Sequence, residues 1–314
     1  MNILIILLPL SLSIALFFLW SKYYKGSAVG NIFAMQFLPY VGLSPLESQV
    51  LLSSSYREKK ISSELILLVI KGYIKIEKVV TETNALEADI FSYYENYIFH
   101  KNKPVDDQLT DFQSLLMDCL FPGDSLFSST TELKVCRERM YPVLSDGPRI
   151  IGEKLRRNGY ISERNVMTRY IAITLGVIVL IIINIIDHSD ILTYISIMIS
   201  GVLLVIFGFS VSQLTDEGVE VRTYLLGLKK YISVAEAERI KFHNVPEKNP
   251  QHFDDLLPYA IAFGLEKEWI GELSPIDRNP NFHLDKNGNY LNVLLIRSIE
   301  DLFNLKSFSG ILKK

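Results

Sequence analysis

Three apolar runs dominate the hydropathy pattern. Ile3–Trp20 holds eighteen residues without a charge and is followed by Lys22 and Lys25. Tyr170–Ile186 and Ile191–Val211 are separated only by Asp187-His188-Ser189-Asp190. At 1.5 Å of rise per residue, the third run covers about 31 Å and the second about 25 Å, against a hydrocarbon core of about 30 Å. The pattern predicts one N-terminal anchor helix and a two-helix transmembrane hairpin. Two uncharged runs of this length joined by a four-residue turn fit poorly as core helices of a soluble protein.

Lys and Arg near the membrane ends set the orientation. Lys22 and Lys25 follow the first run, Arg164 and Arg169 precede the second, and Arg222, Lys229 and Lys230 follow the third. The 187–190 connection has no basic residue. The expectation is an N-terminus outside and the bulk of the chain cytoplasmic, in a multi-pass protein of the cell membrane. A cleaved signal peptide would carry its positive charge before the apolar run, and here the charge comes after it. The spans contain no internal Asp, Glu, Lys, Arg or His, the residues that mark ion pathways. They read as anchors rather than as a transporter. Small residues four apart, Ala172/Gly176 and Ser196/Ser200, suit close helix packing.

Between the spans, Leu46–Ser54 has helical spacing after Pro45. Ser62–Lys71 forms a second helix with Ser62 and Ser63 as candidate caps and Gly72 as its stop. Tyr73–Val79 alternates apolar and charged residues, as a half-buried strand should. Helix, helix, strand is the start of a winged-helix pattern. A further helical stretch, Thr131–Asn158, is interrupted by Pro142 and Gly147-Pro148 and ends on a similar Asn-Gly-Tyr-Ile. The 62–71 helix offers almost no side chains for base edges, so protein contact is favoured over DNA binding. After the hairpin, Thr215–Phe242 reads as one long helix. Its stripe of Val221, Tyr224, Leu225, Leu228, Tyr231, Ile232, Ala235 and Phe242 has mixed charges opposite, which argues for docking. Leu256–Glu272 is a second helix with Pro258 in its first turn. Tyr259, Ala260, Phe263 and Ile270 should face the first helix, with Trp269 at the edge. Asn287-Gly288-Asn289 suggests a turn into a strand at Tyr290–Ile296.

The 314 residues carry 32 Lys+Arg and 35 Asp+Glu, a balance that gives no whole-chain case for nucleic acid. A mean hydropathy of +0.22 is too apolar for a wholly soluble enzyme. Cys119 and Cys136 cannot build a disulfide framework or a four-cysteine metal site. Gly123-Asp124-Ser125-Leu126 spells an esterase nucleophile block, but no Asp lies three residues before any of the five histidines, and a nucleophile without a base is no triad. Asp285–Asn289 opens like a calcium loop, yet the sixth and twelfth positions are Tyr290 and Ile296. His100, His188, His243, His252 and His283 are scattered without ligand spacing. Asp106-Asp107 and Asp254-Asp255 sit where carboxylates cap or solvate helices. No catalytic residue, cofactor or metal is expected.

One resemblance is specific. The matching positions are Leu214-Thr215, Gly218, Leu226-Gly227-Leu228, Tyr231, Ala235-Glu236 and Arg239, then Leu257-Pro258-Tyr259-Ala260, Ala262, Gly264 and Trp269. In order and spacing they resemble the C-terminal half of the YciQ-like predicted membrane proteins, a polytopic microbial family of unknown function. The "GLSPLESQVLL…LILLVIKGYIKIE" region resembles that family more loosely, so the likeness covers roughly residues 40–272. Family members commonly have an extracytoplasmic β-rich domain before the first anchor, whereas this chain starts at the anchor. The resemblance supplies no catalytic residues. It implies a structural or interaction role for the matched positions, Glu236 and Arg239 among them as a clasp.

The expected architecture is mainly α and integral to the membrane. It has an anchor at 1–21, a cytoplasmic helical and winged-helix-like domain at 22–168, a hairpin at 169–212 and a helical cytoplasmic domain at 213–314. The expected role is a non-enzymatic scaffold or signal relay. Its partners would be the lipid bilayer and a protein, in one case a separate membrane or extracytoplasmic chain, with nucleic acid disfavoured. The rivals are an enzyme with a site between the cytoplasmic domains and a membrane-tethered DNA-binding regulator.

Overall fold

Helix spacing and short apolar strands yield a mostly helical molecule. The computed structural model describes residues 2–21, 34–53, 60–79, 96–123, 130–132, 135–136, 139–185, 191–234, 250–266 and 269, without the side chains of 2–10, Pro250, Gln251 and Phe253. The described residues hold nine helices and three strands. They fall into two compact units, one from Met1–Ile32 with Lys154–Thr223, the other from Phe33–Glu153 with Tyr224–Lys314.

The first unit contains α1 (Asn2–Leu19), α6 (Glu163–Ile185) and α7 (Ile191–Ser210). Helices α6 and α7 are long and apolar enough to cross a membrane. They pack antiparallel through their small residues, and Ala172, Gly176, Ser196, Ser200, Gly201 and Gly208 are buried in the seam. A Cβ on Gly176 would stand 2.8 Å from the Gly201 carbonyl oxygen, and one on Gly201 would stand 2.9 Å from Leu180 Cγ. The small-residue spacing is therefore a close backbone approach. The large side chains that remain, such as Ile171, Leu175, Ile178 and Ile182, face outward. Helix α1 lies along α7, where Leu16 and Trp20 cover Ala172, Phe207 and Val211. The Trp20 indole N–H donates to the Ser210 carbonyl at 3.0 Å, so α1 and α7 end together and run parallel.

At that end the two strands of chain entering and leaving the hairpin are laced together. An antiparallel bridge joins Ile161 and Leu214. The Ser162 amide donates to Gln213 O at 2.9 Å, and the Thr215 amide donates to Tyr160 O at 3.1 Å. Asn165 Nδ2 donates to Ser212 O at 2.9 Å. Thr215 Oγ1 donates to Gly159 O at 2.6 Å and accepts from the Gly218 amide at 3.0 Å, which caps the helix that follows.

The second unit begins with α2 (Pro45–Ser53) and α3 (Ile61–Ile70), and continues through β1 (Ile74–Val79), β2 (Asn96–Lys101), α4 (Asp111–Leu120), β3 (Thr130–Glu132) and most of α5 (Tyr141–Arg157). Gly72, with φ 75°, ends α3. The Gly72 amide returns to Val69 O and the Tyr73 amide to Leu68 O, the paired bonds of a Schellman stop. The chain then enters a three-stranded antiparallel sheet ordered β1-β2-β3, in which Ile76 stands opposite Phe99. Most of α8 (Asp216–Ser233) and α9 (Pro250–Phe263) complete the unit. Leu46, Leu51, Ile61, Leu65, Ile66, Leu68, Ile74, Ile76, Phe99, Phe112 and Leu116 form its core.

Several local expectations are corrected. Ser62 and Ser63 lie inside α3 and do not cap it; Lys60 holds the cap position, and Ser63 Oγ donates back to Lys60 O at 2.6 Å. The 131–158 stretch opens as strand β3, and Pro148 sits within α5 instead of breaking it. Pro250 starts α9, which places Pro258 in its interior. The main partners of α9 are α2 and α3 rather than α8. The 235–242 extension of α8 and the turn and strand at 285–296 lie outside the described residues.

Candidate functional site

The family-signature positions within the described residues divide between tight backbone contacts and aromatic packing. Gly218 sits in the first turn of α8, where a Cβ would fall on the Tyr160 carbonyl oxygen. At Gly227 a Cβ would fall on the Ala34 carbonyl oxygen. Neither position tolerates a side chain without moving backbone. Leu226 is half-buried and Leu228 fully buried. Tyr231 is the hub of an aromatic cluster, with ring centroids 4.9 Å from Phe37, 6.2 Å from Trp269 and 6.1 Å from His252. Trp269 is buried, not at an edge. Leu257, Pro258, Tyr259 and Ala260 are buried along α9, and Gly264, at φ 76°, ends that helix. The Tyr259 hydroxyl donates to Leu43 O at 2.8 Å, tying α9 to the segment before α2. Glu236 and Arg239 lie outside the described residues.

A second constellation stands out by burial. Ser44, Glu47, Ser48, Gln49, Ser62, Ser63, Glu64 and Gln113 are all buried polar or charged groups of one unit. Burying polar groups is tolerated only when they are hydrogen-bonded. Ser44 precedes α2 and forms its cap. Its amide donates to Glu47 Oε2 at 2.9 Å, and its Oγ faces the Glu47 amide at 3.4 Å. This is the reciprocal box that Ser-x-x-Glu spacing produces. Thr110 and Gln113 form a second such box at the start of α4. Both boxes meet at Glu64, in the first turn of α3. Glu64 Oε1 accepts from Ser44 Oγ at 2.6 Å and from the Leu46 amide at 2.8 Å. Glu64 Oε2 accepts from Gln113 Nε2 at 2.8 Å. One fully buried carboxyl thus joins the amino-terminal ends of α2 and α4 to its own helix.

The electrostatics of Glu64 are a contest. Burial is the largest influence and raises its pKa, and the nearby Glu47 carboxyl raises it further. The hydrogen bonds from Gln113, Ser44 and Leu46 act the other way, and burial prevails. The same two carboxyls help push up the Tyr259 hydroxyl, although burial is again the larger cause. Sequence reasoning does not single out Ser44, Glu47, Glu64 or Gln113. The available signals are the Ser44-x-x-Glu47 and Thr110-x-x-Gln113 spacings, and a lone Glu in an otherwise apolar helix.

The other candidate groups are placed singly. Burial pushes the Cys136 thiol up to about 12 and also raises Cys119, so neither is an activated nucleophile. Asp106 accepts from the Tyr73 hydroxyl at 2.6 and 2.7 Å, and that bond raises the tyrosine to about 12. His100 pairs with Glu77 at 2.9 Å across β1 and β2. Gly123 has φ 98°, while Ser125 of the esterase-like block and the 285–296 loop lie outside the described residues. Among the described residues, no group of three or more His, Cys, Asp or Glu is placed to hold a metal.

A mostly helical molecule with two apolar helices long enough to cross a membrane has the character of a membrane protein. The chain belongs to the YciQ-like family of predicted membrane proteins: residues 34–273 match the model described as "Predicted membrane protein (DUF2207) C-terminal domain". Comparison with curated proteins and with solved structures gave no significant match.

Proposed function

We propose that the chain is a multi-pass membrane protein acting as a non-enzymatic scaffold or signal relay through cytoplasmic protein contacts. The observation that carries this reading is Glu64. It is a fully buried carboxyl, and both its oxygens are engaged by donors of its own chain. A group spent in this way positions helices.

The proposed topology has three spans with the N-terminus outside. Its support is the packing of α9 on α2 and α3, elements that flank the α6–α7 hairpin in sequence. Both flanks of the hairpin then lie on one side, as an even number of crossings requires. The Lys and Arg positions favour the cytoplasm for that side. The α2, α3, β1 order, with β1 and β2 paired antiparallel, supports a winged-helix-like grouping. In that grouping α3 would be the recognition helix, yet most of α3 is buried. This supports a protein partner over DNA.

The test is in-cell crosslinking followed by purification and mass spectrometry of co-purifying chains. A reproducible membrane or extracytoplasmic partner is the expected result. A solitary protein that binds a metabolite would overturn the scaffold reading in favour of an enzyme.

A further inference from the structure

Arg169 is the last charged residue before the apolar run of α6, and Phe209 lies in the last turn of α7. The two helices approach closely at this level, where a Cβ on Gly208 would stand 3.1 Å from the Arg169 carbonyl oxygen. That closeness places the Arg169 guanidinium over the facing ring, with Cζ 5.6 Å from the Phe209 centroid. Phe209 is itself 63% exposed, and so is Tyr170 beside the arginine. Exposed rings at the end of a spanning-length helix are the composition of the headgroup level of a bilayer.

The polar side chains around Arg169 are engaged within the chain. Asn165 Nδ2 donates to Ser212 O, and Thr168 Oγ1 donates to Arg164 O. Among the described residues, no oxygen accepts from the Arg169 guanidinium, whose contact is the ring face. A ring face attracts the positive charge but offers no oxygen to the five N–H donors, which suit the oxygens of a phosphate. Beside the end of two spanning helices, lipid phosphates lie at the height of those donors. A zwitterionic lipid brings its own ammonium to its phosphate, in competition with the guanidinium. An anionic lipid brings none.

We propose that Arg169 and Phe209 form a binding site for the phosphate of an anionic phospholipid, an inference that rests on reading α6 and α7 as membrane spans. The guanidinium donates to the phosphate oxygens, and Phe209 holds it in place from the α7 side. The acyl chains lie against the outward apolar side chains of the hairpin.

The experiment reconstitutes the full chain in phosphatidylcholine bilayers at about 0.15 M salt, where exposed charges are screened beyond about 8 Å. Phosphatidylglycerol and phosphatidylcholine, each spin-labelled on an acyl chain, are added in turn, and the motionally restricted fraction gives their relative association with the protein. The expected result is a several-fold preference for phosphatidylglycerol, lost in Arg169→Gln. Phe209→Leu should remove most of it as well, although the net charge is unchanged. Arg149→Gln, which removes an exposed arginine paired with Glu153 on α5, should leave it intact. Equal association of the two lipids with the parent chain would overturn the site, as would a preference that survives Arg169→Gln. A preference that survives Phe209→Leu while both arginine variants lower it equally would also overturn it, because that pattern marks diffuse charge attraction. A chain that fails to enter the bilayer would overturn the membrane reading and the site with it, and is told apart by flotation with the vesicles.

Discussion

Replacing Glu64 by Leu tests whether the buried carboxyl is what holds the starts of α2 and α4. The substitution keeps a similar volume but removes both acceptor oxygens. Three donors then lose their partner. Ser44 Oγ can turn elsewhere. The Leu46 amide belongs to the first turn of α2, where no backbone acceptor is available to it. Gln113 Nε2 cannot swing away without breaking the bond its Oε1 accepts from the Thr110 amide at 3.1 Å. An unmet buried donor costs about 1–3 kcal/mol, so the two fixed donors together cost about 2–6 kcal/mol. Relief from burying a carboxyl offsets part of this, which leaves a net loss of about 2–4 kcal/mol. In a unit of this size each kcal/mol moves Tm by about 2–4 °C, giving a fall of about 5–15 °C. Thermal melting of the detergent-solubilised chain measures the loss. Hydrogen exchange at the Leu46 amide localises it and should accelerate more than exchange in β1. A variant that melts at or above the parent, with unchanged exchange at Leu46, refutes the argument and makes Glu64 a tolerated passenger.

The pH dependence follows from the same residue. Glu64 stands above its ordinary value of 4.5, so the folded state binds its proton more tightly than the unfolded chain. That contribution is complete below the ordinary value and is lost as pH rises through the folded one. The stability difference between the parent and Glu64→Gln should therefore shift against the parent as pH rises above 4.5, and parallel denaturation curves at all pH values would contradict it. Gly227→Ala should destabilise by about 2 kcal/mol or more, since the new Cβ meets backbone at Ala34 rather than a yielding side chain; an unchanged Tm would mean the segment can move aside. Trp269→Ala removes a buried ring from the Tyr231 cluster and should cost about 3–5 kcal/mol, read by chemical denaturation.

The apolar helices α1, α6 and α7, together with α2, α3 and β1, are legible in the sequence because each rests on a local signal. An uncharged run, a proline start, a glycine at positive φ and a two-residue alternation all act within a few positions. Strand β2 and the brief β3 carry weaker patterns, and their existence depends on pairing with β1 and with each other. Pro148 argues for a helix break, yet α5 continues through it because its packing outweighs one missing hydrogen bond. The signature glycines are visible as residues, whereas the carbonyls they approach are not. Gly218 and Tyr160 are far apart in sequence, as are Gly227 and Ala34. The Glu64 constellation is hidden for the same reason. Its two capping boxes are local and readable, but Ser44 lies 20 residues from Glu64 and Gln113 lies 49.

The bond between Tyr259 and Leu43 joins residues 216 apart, with the hairpin made between them. At about 5–20 residues per second, the ribosome takes roughly 10–40 s to travel that distance. During that interval α2 and α3 are already synthesised while α9, which covers them, is not. In the proposed topology the nascent chain delivers two apolar helices to the insertion machinery while holding an unfinished apolar face in the aqueous phase. Biogenesis, more than the finished fold, is then the stage at which this chain is most exposed to proteases and aggregation, and the stage at which a chaperone would count.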